Sequence, residues 1–134
     1  MNKATAARAR PLSPHLTIYR MPITMTMSIV HRITGGALYF GTLLIAWWLM
    51  AAATSERSFD LANMVFGSWI GRLVLFGYSW TLIHHMLGGI RHLIWDTGTA
   101  LEKNNSSRMA WATIACSVVL TVLVWIAGYF ARGF

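Results

Sequence analysis

The sequence predicts an all-α integral membrane protein with three transmembrane helices, its N-terminus inside and its C-terminus outside. Three observations carry that prediction. Of 134 residues, 56% are hydrophobic and only 11% are charged, whereas soluble domains carry about 25% charged residues. The apolar residues collect into three runs, each near the roughly 20 residues that cross a hydrocarbon core. The basic residues fall mostly on one side of those runs.

Residues 1–25 form an N-terminal segment holding Pro11, Pro14 and Pro22, so it is extended or broken rather than one helix. Its basic start has no apolar signal core and no cleavage site, and a mature bacterial-type N-terminus is expected. Transmembrane helix 1 spans 26–53, beginning as the chain leaves Pro22 and including the apolar run from Ile33 to Ala53. "TSERSFDLAN" then reads as a short polar loop. Helix 2 spans 64–95, its start lying at Met64 or Trp69, with Arg72 early and a polar cluster late. "DTGTALEKNNSSR" is a longer loop rich in turn formers. Helix 3 spans 109–131, and no charged residue breaks its apolar part.

Lys3, Arg8, Arg10, Arg20, Arg32, Arg91, Lys103 and Arg108 belong to the N-terminal side and the second loop, against Arg57, Arg72 and Arg132 opposite. Retention of basic residues on the inner side sets the orientation. It also explains the net charge of +7, since the cations are scattered and form no basic helix or motif for nucleic acid. Cys116 is the only cysteine, which excludes an internal disulfide and a cysteine-ligated iron–sulfur cluster. The orientation has one consequence for function: the start of helix 1 and the end of helix 2 share a membrane face. Ser28, His31 and Arg32 are thereby brought to the level of Arg91, His92 and Asp96.

An ionisable residue within a span is a functional candidate by default. His84 and His85 lie deepest; His85 is about 16 Å along the helix from Asp96 at 1.5 Å per residue. A hydrogen bond to a neighbouring helix, a proton path or ligation of haem iron would each account for such an imidazole. Gly88 and Gly89 one turn away leave room for something broad to approach, or for plain helix packing. His31, Arg32, Arg91 and His92 are placed to receive haem propionates. His84 and His85 point about 100° apart, so they do not ligate one iron together, and periodicity does not choose between them. Helix 3 has no histidine and His31 lies toward the interface, so a second axial ligand has to come from another chain. Ser28 and Arg32 stand four apart on one helix face. They are either a backbone-bonded serine and a snorkelling arginine, or a hydroxyl and a cation for a quinone carbonyl. Asp96, four residues from His92, is an ordinary helix-end contact or a proton relay.

"RPLSPHLTIYR" (Arg10–Arg20), "SIVHRITG" (Ser28–Gly35) and "HMLGGIRHLIWD" (His85–Asp96) together resemble the cytochrome b subunits of succinate dehydrogenase, the larger membrane anchors of complex II. The resemblance covers nearly the whole chain. It implies that His85, the first histidine of H-x-x-x-G-I-R-H, is an axial ligand of haem b iron. It implies that Ser28 and Arg32 help to bind ubiquinone and that His31 and Arg32 lie on the haem propionate side. The partners it implies are a second small membrane anchor supplying the other haem ligand, an iron–sulfur subunit against residues 1–25, and a flavoprotein subunit. It implies a contribution to quinone reduction and not to the dehydrogenation itself. The form of the first motif favours ubiquinone over menaquinone, and the bacterial inner membrane is expected in preference to the mitochondrial one. The rivals are an anchor of a fumarate reductase, a structural anchor without redox role, and a small transporter subunit. The polar residues gather at one face and none runs through helix 3, which opposes the transporter.

Overall fold

A computed structural model describes residues 18–131. Among them the chain is entirely helical: α1 (Ile23–Thr54), α2 (Glu56–Gly67), α3 (Trp69–Asp96) and α4 (Lys103–Ala131). α1, α3 and α4, of 32, 28 and 29 residues, are each long and apolar enough to span a membrane. The protein is thus a membrane protein with three spans, as its composition predicts.

Two serines make two of the corners. Ser55 ends α1, and its hydroxyl accepts from Ser58 N at 3.2 Å to open α2. Ser68 ends α2, and its hydroxyl accepts from Gly71 N at 3.0 Å to open α3. Each side chain satisfies an amide that a helix start leaves without a partner. The third corner is longer. Thr97 and Thr99 turn their hydroxyls to Ile94 O at 2.6 and 3.2 Å, and Gly98 and Ala100 take left-handed φ of 76° and 57°.

The boundaries differ from the sequence reading in three places. α1 begins at Ile23 rather than at 26, because Pro22 O accepts from Met25 N and Thr26 N and serves as the start of the helix. The expected loop "TSERSFDLAN" is helical and lies mostly in α2, so the run read as 64–95 is divided at Ser68. Ser55 and Glu56 provide a cap and an acid in the first turn. Phe59, Ala62, Asn63 and Phe66 then recur at the spacing of one helix face. That face lies on α1: Trp48 Nε1 donates to Asn63 Oδ1 at 3.0 Å, and the Phe59 and Phe66 rings lie 5.6 and 5.4 Å from those of Trp48 and Trp47. The second loop shortens as well, since α4 begins at Lys103, ahead of the expected 109. The expected contact of residues 1–25 with an iron–sulfur subunit falls largely on residues outside the described ones.

α3 runs antiparallel to α1 and to α4. Gly35 packs on His85 and Gly41 on Tyr78, while His84 meets Ser117 and Ser79 meets Trp125. Apart from Met27, the buried positions are small or polar, among them Gly41, Ala51, Ala62, Gly71, Gly88, Ala110, Thr113, Ser117 and Thr121. The large apolar side chains face outward, Phe40 at 68% and Phe130 at 75% exposed. Lipid is as apolar as leucine, so small residues that let backbones approach carry the packing. A side chain at Gly41 would enter the Tyr78 ring, whereas a Cβ at Gly77 meets nothing within 4 Å. Gly41→Leu is expected to cost about 1–3 kcal/mol through overpacking. Thermal unfolding of the detergent-solubilised protein checks this, with Gly77→Leu causing no loss.

Candidate functional site

The antiparallel packing brings the polar residues of α1 and α3 together at one rim, where α1 begins, α3 ends and α4 begins. His85 lies at its inner edge, half-buried. Its Nδ1 is 3.1 Å from Thr34 Oγ1 and 3.2 Å from the carbonyl oxygen of His31. Thr34 donates its own hydroxyl proton to that same carbonyl at 2.9 Å. Both oxygens therefore face His85 as acceptors, and the proton of the neutral ring sits on Nδ1. The lone pair is left on Nε2, which has no partner among the described residues and is not among the enclosed polar atoms. Gly35 makes the close approach possible, since a Cβ there would stand 3.1 Å from His85 Cε1.

His84 uses the same chemistry in the opposite direction. It is 2% exposed, and its Nδ1 lies 3.1 Å from Ser117 Oγ on α4. Ser117 donates to Ile114 O at 2.9 Å, so it too meets the imidazole as an acceptor. Nε2 of His84, however, is enclosed without a partner. The two neighbouring histidines, left open by periodicity, are thus divided between helices, and only His85 presents a ring nitrogen to the outside.

The sequence places His31 nearer the interface than His85, and in the structure His31 sits level with Gly88, three residues closer to the end of α3 than His85. With α1 starting at Ile23, His31 lies about two turns in, and its ring stacks on His85 with centroids 4.0 Å apart and planes 3° apart. Parallel stacked rings cannot approach one metal from opposite sides. The space at Gly88 is also taken: a Cβ there would lie 2.5 Å from His31 Nδ1. Gly88 is therefore a packing position, while Gly36 and Gly89 have nothing within 4 Å. His92 is exposed with its ring 5.3 Å from His31. Ser28 is half-buried and Arg32 exposed, four residues apart on α1. Asp96 is exposed. Arg91, expected among the residues at the water-facing end, is 3% exposed and lies 4.9 Å over the Trp95 ring. Thr34 and Ser117 escaped the sequence reading. The only signal was a hydroxyl within each apolar run.

A family model described as "Succinate dehydrogenase/Fumarate reductase transmembrane subunit" matches residues 6–124. The chain belongs to this family. The match takes in all of α1 to α3, and with them both histidines of the stacked pair. The succinate dehydrogenase cytochrome b556 subunit of Paracoccus denitrificans is 50% identical over 117 residues, covering 87% of this chain and 90% of that one. The subunit of the same name from Rickettsia prowazekii is 40% identical over 117 residues, with 87% and 91% covered. The mitochondrial succinate dehydrogenase cytochrome B subunit of Schizosaccharomyces pombe is 38% identical over 128 residues, with 91% and 67% covered. The three motifs that carry the resemblance in the sequence fall within the matched residues, so the expected family is borne out.

Replacing Ser117 by alanine removes the acceptor from an enclosed Nδ1–H. Ser117→Ala is expected to destabilise the protein by about 1–3 kcal/mol, read as a lower unfolding temperature of the solubilised protein.

Proposed function

We propose that this chain carries haem b as the larger membrane anchor of a succinate:ubiquinone oxidoreductase, with His85 as one axial ligand. One observation carries the reading: His85 holds its Nδ1–H against His31 O and Thr34 Oγ1 and turns Nε2 outward. Metal-ligating histidines characteristically donate the other ring N–H to an oxygen, which sets the tautomer and the ring orientation. The donor set therefore fits haem iron. His84 does not fit, because its Nε2 is closed inside the chain. Bound haem supplies a one-electron carrier beside the route from an iron–sulfur partner to the quinone.

The chain's own residues orient and bind. Thr34 and the His31 carbonyl hold the imidazole plane, and Gly35 and Gly88 let α1 and α3 come close enough to do so. Among the described residues no other histidine is placed to join His85 in holding the iron: His31 is stacked on His85, His84 is enclosed, the His92 ring lies against His31 and Trp95, and α4 has no histidine. The second ligand accordingly comes from a second small anchor. Ser28 and Arg32 offer a hydroxyl and an exposed guanidinium on one face of α1, suited to a ubiquinone carbonyl and to negative charge growing on it. His31 and Arg32 lie on the propionate side. The excess of basic residues beside the start of α1 orients this rim inward, in a bacterial inner membrane. There the iron–sulfur and flavoprotein subunits dock. The relatives named succinate dehydrogenase cytochrome b subunits support this assignment.

In the purified complex, His85→Ala is expected to abolish the reduced b-type absorption band, while His84→Ala keeps it; a band that survives the first change would remove His85 as ligand. Ser28→Ala and Arg32→Leu are expected to slow ubiquinone reduction at least tenfold, since a charge-assisted hydrogen bond is worth about 1.5–3 kcal/mol. Succinate oxidation with an artificial acceptor should persist. Equal loss of both rates would place the effect on assembly.

A further inference from the structure

A cavity of about 810 Å³ lies among all four helices at the end of the bundle opposite the histidine rim. Cavities that hold one small ligand measure roughly 300–1,000 Å³. Its walls are apolar: Leu44 and Ile45 of α1, Phe59 and Phe66 of α2, Leu75 of α3 and Val124 of α4. Two indoles add rings to these walls and keep their donors elsewhere. Trp48 Nε1 is bonded to Asn63 Oδ1 at 3.0 Å, and Trp125 Nε1 to Ser79 Oγ at 3.2 Å. The lining has one charged side chain, Arg72, and no carboxylate. Arg72 is exposed in the first turn of α3, three residues after Trp69, which is 79% exposed. Tryptophan and arginine at the end of a span mark the headgroup level of a bilayer. From Arg72 the cavity reaches Tyr78, about 9 Å deeper along the helix at 1.5 Å per residue. The described helices leave this space open, for a Cβ at Gly67 or Gly128, both in the lining, meets nothing within 4 Å.

We propose that this cavity holds one anionic phospholipid, with acyl chain against the apolar walls and phosphodiester on Arg72. Three features choose that occupant. An apolar space that begins at headgroup level takes a chain directly from the bilayer, and contact with the walls replaces contacts that a void forfeits. A guanidinium meets a phosphate through two parallel N–H donors, which a single ammonium does not match. A zwitterionic lipid brings an ammonium as well, and the lining offers no carboxylate to receive it. The cavity is at the other end of α3 from His85, so its occupant is independent of the haem.

The test uses the intact solubilised complex, stripped of lipid and titrated with dioleoyl phosphatidylglycerol or dioleoyl phosphatidylcholine, with bound lipid counted by native mass spectrometry. Wild type is expected to hold one phosphatidylglycerol about tenfold more tightly than phosphatidylcholine. Arg72→Gln lowers the phosphatidylglycerol affinity about tenfold, through loss of one charge-assisted pair, and removes the preference. Gly128→Leu and Gly67→Leu fill the cavity from two different helices and abolish the tight binding although Arg72 remains. Gly77→Leu and Arg57→Gln lie outside the lining and leave it unchanged. Equal affinity of the wild type for both lipids overturns the proposal, and so does an Arg72→Gln variant that binds like wild type. An Arg57→Gln variant as weak as Arg72→Gln also overturns it, since general charge at that end would then attract the lipid. If both filling variants keep the tight lipid, or if they shed the second anchor while lipid binding is unaltered, the lipid is seated elsewhere and the proposal fails. Displacement of the lipid by equimolar short-chain ubiquinone would give the cavity to a quinone instead.

Discussion

The proton on His85 Nδ1 is the constraint from which the rim follows. It is held by two oxygens of α1, one a backbone carbonyl and one a threonine hydroxyl already committed to that carbonyl. The clasp requires α1 and α3 to run antiparallel at close range, with glycine at 35 and 88 where side chains would collide with His85 and His31. In a bilayer there is no water to satisfy an imidazole from outside. The helices therefore do so themselves, and the remaining lone pair becomes directional. Ser117 repeats the device for His84 on the other side of α3, so one helix is tied to both neighbours through adjacent residues.

The same physics explains why the three spans look incomplete. Their closest contacts are made largely by glycine, alanine, serine and threonine, and many large apolar side chains face outward. Such a surface suits lipid on one side and further helices on another. The enclosed polar atoms of Arg91, Trp95 and His31, which have no partner among the described residues, add a chemical incompleteness to the geometric one. Among the described residues no carboxylate pairs with that guanidinium.

Periodicity was most informative for the long apolar runs, which are the three spans, and least informative where polar letters hide an amphipathic face. In α2 and its cap the serines, glutamate, arginine and aspartate give a loop-like composition. The face formed by Phe59, Ala62, Asn63 and Phe66 gains its meaning only from Trp47 and Trp48 on α1. Counting residues from the interface could not show that the His31 ring stacks on that of His85. Depth depends on where a helix starts and how its neighbour is offset, and Pro22 starts α1 a turn earlier than the apolar run suggests.

The amino-acid sequence by itself determined the membrane class, the three spans, the charge asymmetry and the three motifs of the family, because these are properties of composition, order and spacing along one chain. Which of two adjacent histidines turns a nitrogen outward, that Thr34 and Ser117 set their tautomers, and that Arg91 is buried were decided only by tertiary structure. Each depends on the rotation and offset of one helix against another, and a 100° step between neighbouring residues carries no information about which neighbour it will face.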